Sequence, residues 1–376
     1  PDADLGIPML LIFCVILIAV VFEYINGFHD TANSIATVVA TRVLSPRQAV
    51  VLAAATNLVG ALWGTAVAKT IAAGLVDTSI VSQEVLLCAL LGGIVWNLVT
   101  WYVGLPSSSS HALIGGLVGA SVAAARTWDV VIWSQPDSRH WYQSKGVLWK
   151  VIVPMFSSPF CGFLLGLLIM GLLYFLLQNW RPRTVGIVFG RTQLISAGAM
   201  GFMHGTNDAQ KTMGIIALAL VAGTSSGKFD DLPEWLSFLK TTLPENSKEF
   251  QIATWIKLLC AVVMAAGTAA GGWRIIQTLG HKMVRLQPVH GFAAETSSAM
   301  VIGVASALGI PVSTTHNISA SIMGVGAAKR LNALNWTIVE KMAWAWILTI
   351  PISGGISWTL VRIMQATGMM PVPGAG

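Results

Sequence analysis

The chain has 376 residues, of which 55% are hydrophobic and only 10% are charged, and its formal net charge is +6. A soluble globular protein carries about 25% charged residues, so this composition excludes a water-soluble domain and predicts an integral membrane protein in contact with lipid. Because the basic residues are scattered through short loops, the positive charge does not indicate a nucleic-acid partner. The four cysteines lie in apolar runs without metal-ligand spacing, so no structural metal site is expected.

Ten apolar segments follow one another along the chain, with the length of membrane helices rather than of barrel strands. They cover residues 6–40, 48–73, 85–103, 108–125, 148–177, 192–222, 252–272, 291–309, 312–328 and 336–363. The first would reach about 50 Å as one helix, against about 30 Å of hydrocarbon. A polar motif interrupts it, NGFHDTAN, and the sixth segment is interrupted by HGTNDAQK. The sequence therefore predicts an all-α membrane protein of about 10–12 transmembrane helices, some of them broken or re-entrant.

Two pairs of motifs indicate an internal repeat. The stretch GFHDTANS, which begins at Gly27, aligns with GTNDAQKT, which begins at Gly205, and the alignment places Asp30 over Asp208. The stretch GLPSSSSH recurs as GIPVSTTH at a larger offset, and the polar stretch 225–251 accounts for the difference. We therefore expect a first repeat over 1–180, a basic linker over 181–191 and a second repeat over 192–376.

Loop charge predicts how the repeats are oriented. Stretches 181–191 and 273–285 carry bases and no acids, so we expect them to be cytoplasmic loops. The polar loop 225–251 is acidic and is expected outside; its acids are Asp230, Asp231, Glu234, Glu245 and Glu249. If each apolar segment crosses once, the two repeats have opposite orientation, which is the inverted topology of many secondary transporters.

The duplicated acids are the strongest functional candidates. Asp30 and Asp208 lie well inside apolar segments, where an ionised group costs several kcal/mol unless it is paired or hydrated. A structural acid bonded to a neighbouring helix is the alternative, but duplication favours a coupling-cation or substrate site. Glu295 is a weaker candidate, and Glu23 is equally compatible with either role. Lys211, one turn after Asp208, would either pair with it permanently or leave it to contact an anion.

The two Pro-hydroxyl-His motifs suggest an anion site. A proline suits the first turn of a helix, so we expect half-helices that start at Ser107 and Val312. Their free N–H groups and hydroxyls would bind an anion where the two ends meet near the midplane. The hydroxyl residues are Ser108, Ser109, Ser110, Ser313, Thr314 and Thr315. Plain N-capping is the alternative. His111 and His316 would fix the half-helices or carry protons.

Together, GFHDTANSIATVVATR, GTNDAQKTMGI, GLPSSSSH and GIPVSTTH resemble the signatures of the inorganic phosphate transporter family, closest to its bacterial low-affinity branch. The resemblance implies proton-coupled phosphate transport across a bacterial or archaeal cytoplasmic membrane, with a divalent metal as an accepted companion of phosphate. No enzymatic cofactor is expected, and a homodimer is an open expectation. The family implies that Asp30, Asn33, Asp208 and the hydroxyl residues bind phosphate or the coupling cation.

Two departures from the family pattern bear on the coupling ion. His29 stands where many members have Asn, while Asn207 keeps the amide, and Lys211 replaces the second Asn of the motif. Both departures favour protons over a symmetric pair of sodium sites, although sodium stays open. The residues expected to hold the coupling cation are His29, Asp30, Asn207, Asp208 and Glu295.

Three other functions are compatible with parts of this pattern. A membrane hydrolase would use Ser, His and Asp, but no GxSxG-type motif is present. A passive anion channel needs no coupling acid. A transporter of another oxyanion such as sulfate is disfavoured by the acids, because a carboxylate accepts the O–H of phosphate and repels fully deprotonated sulfate.

Overall fold

The computed structural model describes residues 6–137, 144–230, 232–242 and 251–372. Within these ranges the chain is helical and forms no β-strand beyond isolated bridges, which confirms the all-α prediction. The α-helices are α1 (Gly6–Ala40), α2 (Pro46–Ala61), α3 (Ala66–Ala73), α4 (Gln83–Val103), α5 (Ser109–Ala125), α6 (Val153–Leu177), α7 (Pro182–Ser225), α8 (Thr254–Ala270), α9 (Trp273–Gln277), α10 (Pro288–Ala307), α11 (Thr314–Lys329) and α12 (Trp336–Ala366). Residues Asp231, Glu245 and Glu249 of the polar loop lie outside the described part.

Several helices have the length and hydropathy of membrane spans. In the described part, α1, α4, α6 with its preceding π-helical turn, and α12 each qualify alone. Two further candidates are bent pairs, α2 with α3 at 67° and α8 with α9 at 61°. Length and composition thus support four to six spans. The predicted count of 10–12 stays a prediction; α5 and α11, with 17 and 16 residues, are shorter than the roughly 20 residues of an ordinary span.

The breaks in the helices do not fall at the aspartate motifs, so that part of the prediction was wrong. Helix α1 runs unbroken through NGFHDTAN and α7 through HGTNDAQK. Polar side chains there find partners inside the protein, so the backbone has no need to open; the hydroxyls of Thr31 and Thr206, for example, donate to carbonyls one turn earlier, at 2.7 and 2.9 Å. Helix α7 also absorbs the predicted linker 181–191 from Pro182 onward.

The second basic stretch is not a simple loop either. Residues 273–285 contain α9 and a π-helical turn, Thr278–Lys282. The expectation of a loop was wrong because apolar residues alternate with the basic ones, and Ile275, Ile276 and Leu279 are buried; the cytoplasmic side stays a prediction. The stretch therefore packs into the protein while its charged side chains stay at the surface.

The turns before α5 and α11 share one geometry. Gly104 and Gly309 have φ of 71° and 64°, the left-handed conformation that favours glycine. In each turn the glycine N–H and the next N–H donate back into the preceding helix; Leu105 donates to Thr100 at 2.9 Å and Ile310 to Ala305 at 2.9 Å. These are Schellman C-caps, which explain the glycine of each Pro-hydroxyl-His motif.

Both half-helices start two residues later than expected: α5 begins at Ser109 rather than Ser107, and α11 at Thr314 rather than Val312. The hydroxyl of Ser108 accepts from the His111 N–H at 3.1 Å, and that of Ser313 accepts from the His316 N–H at 3.2 Å. A serine N-cap satisfies a free helical N–H, which a proline cannot do, so the cap residues set the helix starts. The prolines lie in the extended segment between the glycine turn and the cap.

The order of elements in α1–α6 recurs in α7–α12: a long helix, a bent pair, a helix, a half-helix and a long helix. Helices α1 and α7 pack antiparallel: Glu23 in the middle of α1 contacts Thr212, whereas Thr41 just after α1 donates at 2.9 Å to Gln193, which lies earlier in α7. The last helix of each set packs on the half-helix of the other, α6 on α11 and α12 on α5. Large apolar side chains such as Phe160, Leu168 and Phe175 of α6 face outward, as lipid contact requires.

Candidate ion and anion site

The first turns of α5 and α11 meet in the interior of the protein. The hydroxyl of Ser110 donates to the carbonyl of Val312 at 3.4 Å, and the rings of His111 and His316 lie 4.8 Å apart, edge to face. The sequence placed these turns in different repeats, and the structure brings them together beside α1 and α7. Two helix N-termini therefore direct their free N–H groups toward one region.

Asp30 links α1 to both half-helices. Its carboxylate accepts from the hydroxyl of Ser109 on α5 at 3.0 Å and from that of Thr315 on α11 at 3.3 Å. One oxygen also lies 2.7 Å from Nδ1 of His29. Asn33, one turn further along α1, donates to the hydroxyls of Thr314 and Thr315 at 3.2 and 2.9 Å.

Asp208 occupies the matching position on α7 and carries a cation beside it. It accepts from the hydroxyl of Thr314 at 2.7 Å and forms an ion pair with Lys211. The Lys211 ammonium group also contacts the hydroxyl of Ser110 and donates to the carbonyl of Val312 at 2.9 Å. The lysine thus lies between Asp208 and the extended segment that precedes α11.

His204 completes a cluster of possible cation ligands. Its Nε2 lies 3.0 Å from the second oxygen of Asp208, and one ligand atom each from Asp30, His204 and Asp208 lie within 4.8 Å of one another. The other ring nitrogen is 3.1 Å from the side-chain oxygen of Asn57, which holds the ring orientation. Sequence reasoning preferred His29 and missed His204, although its position four residues before Asp208 puts it on the same helix face.

The whole cluster is closed to solvent. Every side chain that contacts Asp30, Asp208 or Lys211 in this cluster is 4% exposed or less. A charged site this deep in an apolar protein is costly unless its charges are paired, and here the carboxylates have hydroxyl, imidazole and ammonium partners.

Two predicted cation ligands instead anchor the turns that precede the half-helices. Asn207 donates to the hydroxyl of Ser306 at 2.9 Å and to the carbonyl of Ile310 at 3.3 Å. Its counterpart His29 places Nε2 3.1 Å from the hydroxyl of Thr100, at the end of α4. The two residues therefore hold equivalent turns, and His29 alone of the pair also touches an aspartate.

Glu295 is not brought to the aspartates. It accepts from Thr37 at 2.5 Å, from Gln193 at 3.0 Å and from Ser196 at 2.5 Å. Thr37 lies seven residues beyond Asp30, about 10 Å along α1. The glutamate is fully buried and belongs to a separate polar cluster between α1, α7 and α10, so its expected role as a coupling-cation ligand stays a prediction.

Glu23 lies on the opposite side of Asp30, also about 10 Å along α1. Its Oε2 contacts the hydroxyl of Thr212 and lies 3.5 Å from the amide of Asn26. In the described part of the chain its Oε1 has no hydrogen-bond partner although the side chain is fully buried. Buried acids thus recur along the seam on both sides of the aspartate pair.

The half-helix histidines are fixed by ring contacts. His316 stacks on Trp346 of α12 with centroids 4.2 Å apart, and Trp346 in turn donates to the carbonyl of Pro106 at 3.2 Å. Neither ring nitrogen of His316 has a hydrogen-bond partner among the described residues. Aromatic packing, rather than hydrogen bonds to backbone or hydroxyls, therefore positions this ring.

Residues 26–357, which include both aspartate motifs and both half-helices, match a family described as "Phosphate transporter family". The chain belongs to the phosphate transporter family. Its relatives include two proteins named "Probable low-affinity inorganic phosphate transporter". One, from Bacillus subtilis strain 168, is 38% identical over 96% of this chain and 100% of its own length. The other, from Rhizobium meliloti strain 1021, is 41% identical over 95% and 96%.

The fold has a counterpart among solved structures. A protein described as "The sodium-dependent phosphate transporter" superposes with a TM-score of 0.76 at 22% identity, and the match covers 95% of this chain and 99% of that one. Family membership confirms the expected resemblance and the expectation of a non-enzymatic function, which sets the hydrolase alternative aside. With its apolar helices, the chain is a multi-pass integral membrane protein.

Proposed function

We propose that the protein is a secondary active transporter that carries inorganic phosphate across the cytoplasmic membrane together with a coupling cation. The observation that carries this proposal is the meeting of two half-helix N-termini over a pair of buried carboxylates, Asp30 and Asp208, with Lys211 paired to Asp208. Helix ends and an ammonium group attract an anion, while the carboxylates attract a cation.

Phosphate recognition falls to groups on both half-helices. The hydroxyls of Ser109, Ser110, Thr314 and Thr315 all point into the cluster, as their contacts with the aspartates, Lys211 and Asn33 show. Near neutral pH phosphate keeps at least one O–H, which a carboxylate can accept. Sulfate has none and is repelled, so the aspartates select the protonated oxyanion.

The coupling cation is assigned to Asp30, Asp208 and His204. Two carboxylates and an imidazole within 4.8 Å suit a proton, which the carboxylates and ring nitrogens can share. The contact of His29 with Asp30 adds a second imidazole and favours protons. Sodium is the alternative, and a divalent ion that travels with phosphate as cargo would find the same oxygen and nitrogen donors. We assign Asn207 and Glu295 to positioning.

Lys211 supplies a physical route to coupling. A proton or other cation on Asp208 weakens its attraction for the ammonium group, which then becomes available to a phosphate oxygen. Phosphate thus binds well only when the cation is bound, and by linkage the cation binds better when phosphate is present.

Transport also requires that the closed cluster open to each side in turn. The antiparallel packing of α1 and α7 and the matching order of elements support the proposal that residues 1–180 and 192–376 are repeats of inverted topology. In such a protein the two repeats exchange conformations around a fixed site, which gives alternating access.

The experiment that tests the proposal is uptake of labelled phosphate into proteoliposomes. An inward proton gradient and an inward sodium gradient are compared at equal phosphate concentration, with and without a divalent cation. Concentrative uptake driven by protons alone is expected. Uptake that needs sodium would shift the coupling ion but keep the symport mechanism, whereas uptake that only equilibrates would establish a passive channel.

Asp30→Asn is the variant that tests the assigned site, with Asp129→Asn in an exposed loop as its control. Gradient-driven uptake is expected to fall at least about tenfold in the first variant and to persist in the second, because only Asp30 contacts both half-helices. Sulfate in excess should not compete. Near-normal concentrative uptake by Asp30→Asn would remove Asp30 from the mechanism.

A further inference from the structure

Four helix ends gather at one pole of the molecule. They are the C-terminal ends of α6 and α11 and the N-terminal ends of α7 and α10. The hydroxyl of Tyr174 lies 3.1 Å from Nε2 of His290, which holds α6 against α10, while the N–H of Gln287 donates to the other ring nitrogen of His290 at 3.1 Å. The first turn of α10 is thereby fixed between its neighbours.

A basic cavity of about 380 Å³ lies on one side of this turn. Arg285, Lys329 and Arg330 line it together with His290, and no acid is among its lining residues. In the described part of the chain none of these three cations forms an ion pair. Three unpaired cations around one cavity present the donors that a phosphate group accepts, two of them in the forked geometry of guanidinium.

A mostly apolar groove of about 360 Å³ lies on the other side of the same turn. Leu173, Leu177 and Val185 line it, and Trp180 stands at its rim. The cavity and the groove are separated only by the start of α10, because Leu286 and His290 line the first while residues 287–289 line the second. A tryptophan beside an apolar groove is typical of the membrane interface.

We propose that the cavity and the groove together bind an anionic phospholipid. The headgroup phosphate lies against Arg285, Lys329 and Arg330, and an acyl chain follows Leu173, Leu177 and Val185. Free inorganic phosphate would gain nothing from the apolar groove, whereas a lipid uses both parts. A leaflet rich in anionic lipid supplies such a ligand to a basic pocket between helix ends.

The headgroup contact is tested on the purified full chain in detergent. Phosphatidylglycerol and phosphatidylcholine with the same acyl chains are titrated while the unfolding temperature is recorded. Phosphatidylglycerol should stabilise at lower concentration. Lys329→Gln with Arg330→Gln should weaken its apparent affinity on the order of 30-fold, as expected for two cations near an anionic headgroup. Arg181→Gln with Arg183→Gln removes the same charge nearby without touching the cavity and should change the affinity less than twofold.

A matched pair of glycine variants tests the acyl-chain contact. A side chain at Gly186 or at Gly190 meets no atom within 4 Å at its Cβ, but only Gly186 lines the groove. Gly186→Trp should therefore fill the groove and weaken phosphatidylglycerol binding, while Gly190→Trp should not. Equal affinity for the two lipids, or no effect of the Lys329 and Arg330 changes, would overturn the proposal. The proposal would also be overturned if inorganic phosphate raised the unfolding temperature of the native chain but not that of the variant Lys329→Gln with Arg330→Gln. The cavity would then be a site for free phosphate.

Discussion

The Asp208–Lys211 ion pair is buried, and neither side chain is exposed to solvent by more than 3%. Desolvation of two charges offsets most of their attraction, so such a pair contributes little net stability, but removal of one partner leaves an uncompensated charge. The pair is therefore better suited to exchange partners during transport than to hold the fold together. This distinction can be measured.

We expect Lys211→Gln and Asp208→Asn each to lower the free energy of unfolding by about 3 kcal/mol, and the double variant to lose clearly less than the sum of the two. Unfolding of the purified variants in detergent provides the measurement. The partly exposed pair of Lys228 and Glu84, 3.8 Å apart, is the control, because truncation of Lys228 should cost less than about 1 kcal/mol. Additive losses at the buried pair would contradict an exchanging ion pair.

The two buried glutamates should respond differently to amide substitution. Glu295 accepts from Thr37 and Gln193 on one oxygen and from Ser196 on the other, so Glu295→Gln can keep an acceptor for the first two but turns an NH₂ group toward the hydroxyl of Ser196. The hydrogen bond that Ser196 donates to the carboxylate is thereby lost, and we expect a loss of about 1–3 kcal/mol. Glu23 has an oxygen without a partner in the described part of the chain, so Glu23→Gln should cost less than about 1 kcal/mol.

Thermal unfolding of the two single variants compares them directly. Equal losses would show that the hydrogen bonds around Glu295 do not depend on a carboxylate. A larger loss for Glu23→Gln than for Glu295→Gln would reverse the assignment of which glutamate is fully satisfied.

At the scale of the half-helices, the structure divides the hydroxyl residues into two groups. Ser108 and Ser313 cap α5 and α11, whereas Ser109, Ser110, Thr314 and Thr315 reach the aspartates, Lys211 and Asn33. The capping alternative and the anion-site interpretation therefore each apply to part of the same motif.

Substitution by alanine should separate the two groups. Ser108→Ala or Ser313→Ala removes an N-cap and should lower the unfolding free energy by about 1 kcal/mol with little effect on the phosphate concentration for half-maximal uptake. Ser109→Ala or Thr314→Ala should raise that concentration several-fold and change stability less. The same ranking of all four variants in both measurements would show that the hydroxyls act only as structural groups.

The sequence was informative where a pattern had one physical solution. Asp30 and Asp208 were predicted because an acid in an apolar segment is costly and usually marks an ion or substrate site. The glycine and serine of each half-helix motif are explained by the rules of helix capping. The helix breaks were predicted at the wrong places because a polar motif inside an apolar segment indicates a break in the helix unless the buried partners of its side chains are known. His204 was missed for a related reason: its role depends on Asn57 and Asp30, which lie on other helices.

For the whole molecule, charge is distributed unevenly between the two poles. Described acids such as Asp77, Asp129 and Glu234 lie in the connections on one side, and bases lie mostly at the other, where α6 and α11 end and α7 and α10 begin. The antiparallel packing of α1 and α7 already favours opposite orientations for the two repeats, and the charge predicts that the basic pole is the cytoplasmic one.

Single cysteines test this orientation in a chain from which the native cysteines have been removed. Thr184 at the start of α7 and Ser237 in the acidic connection are both exposed and suit a conservative change. In intact cells a membrane-impermeant thiol reagent should label Ser237→Cys and should reach Thr184→Cys only after permeabilisation, since positive segments stay cytoplasmic. Phosphate uptake by both variants serves as the control for native folding. Labelling of Thr184→Cys alone would reverse the orientation, and labelling of both would contradict the assignment of the two poles to opposite sides of the membrane.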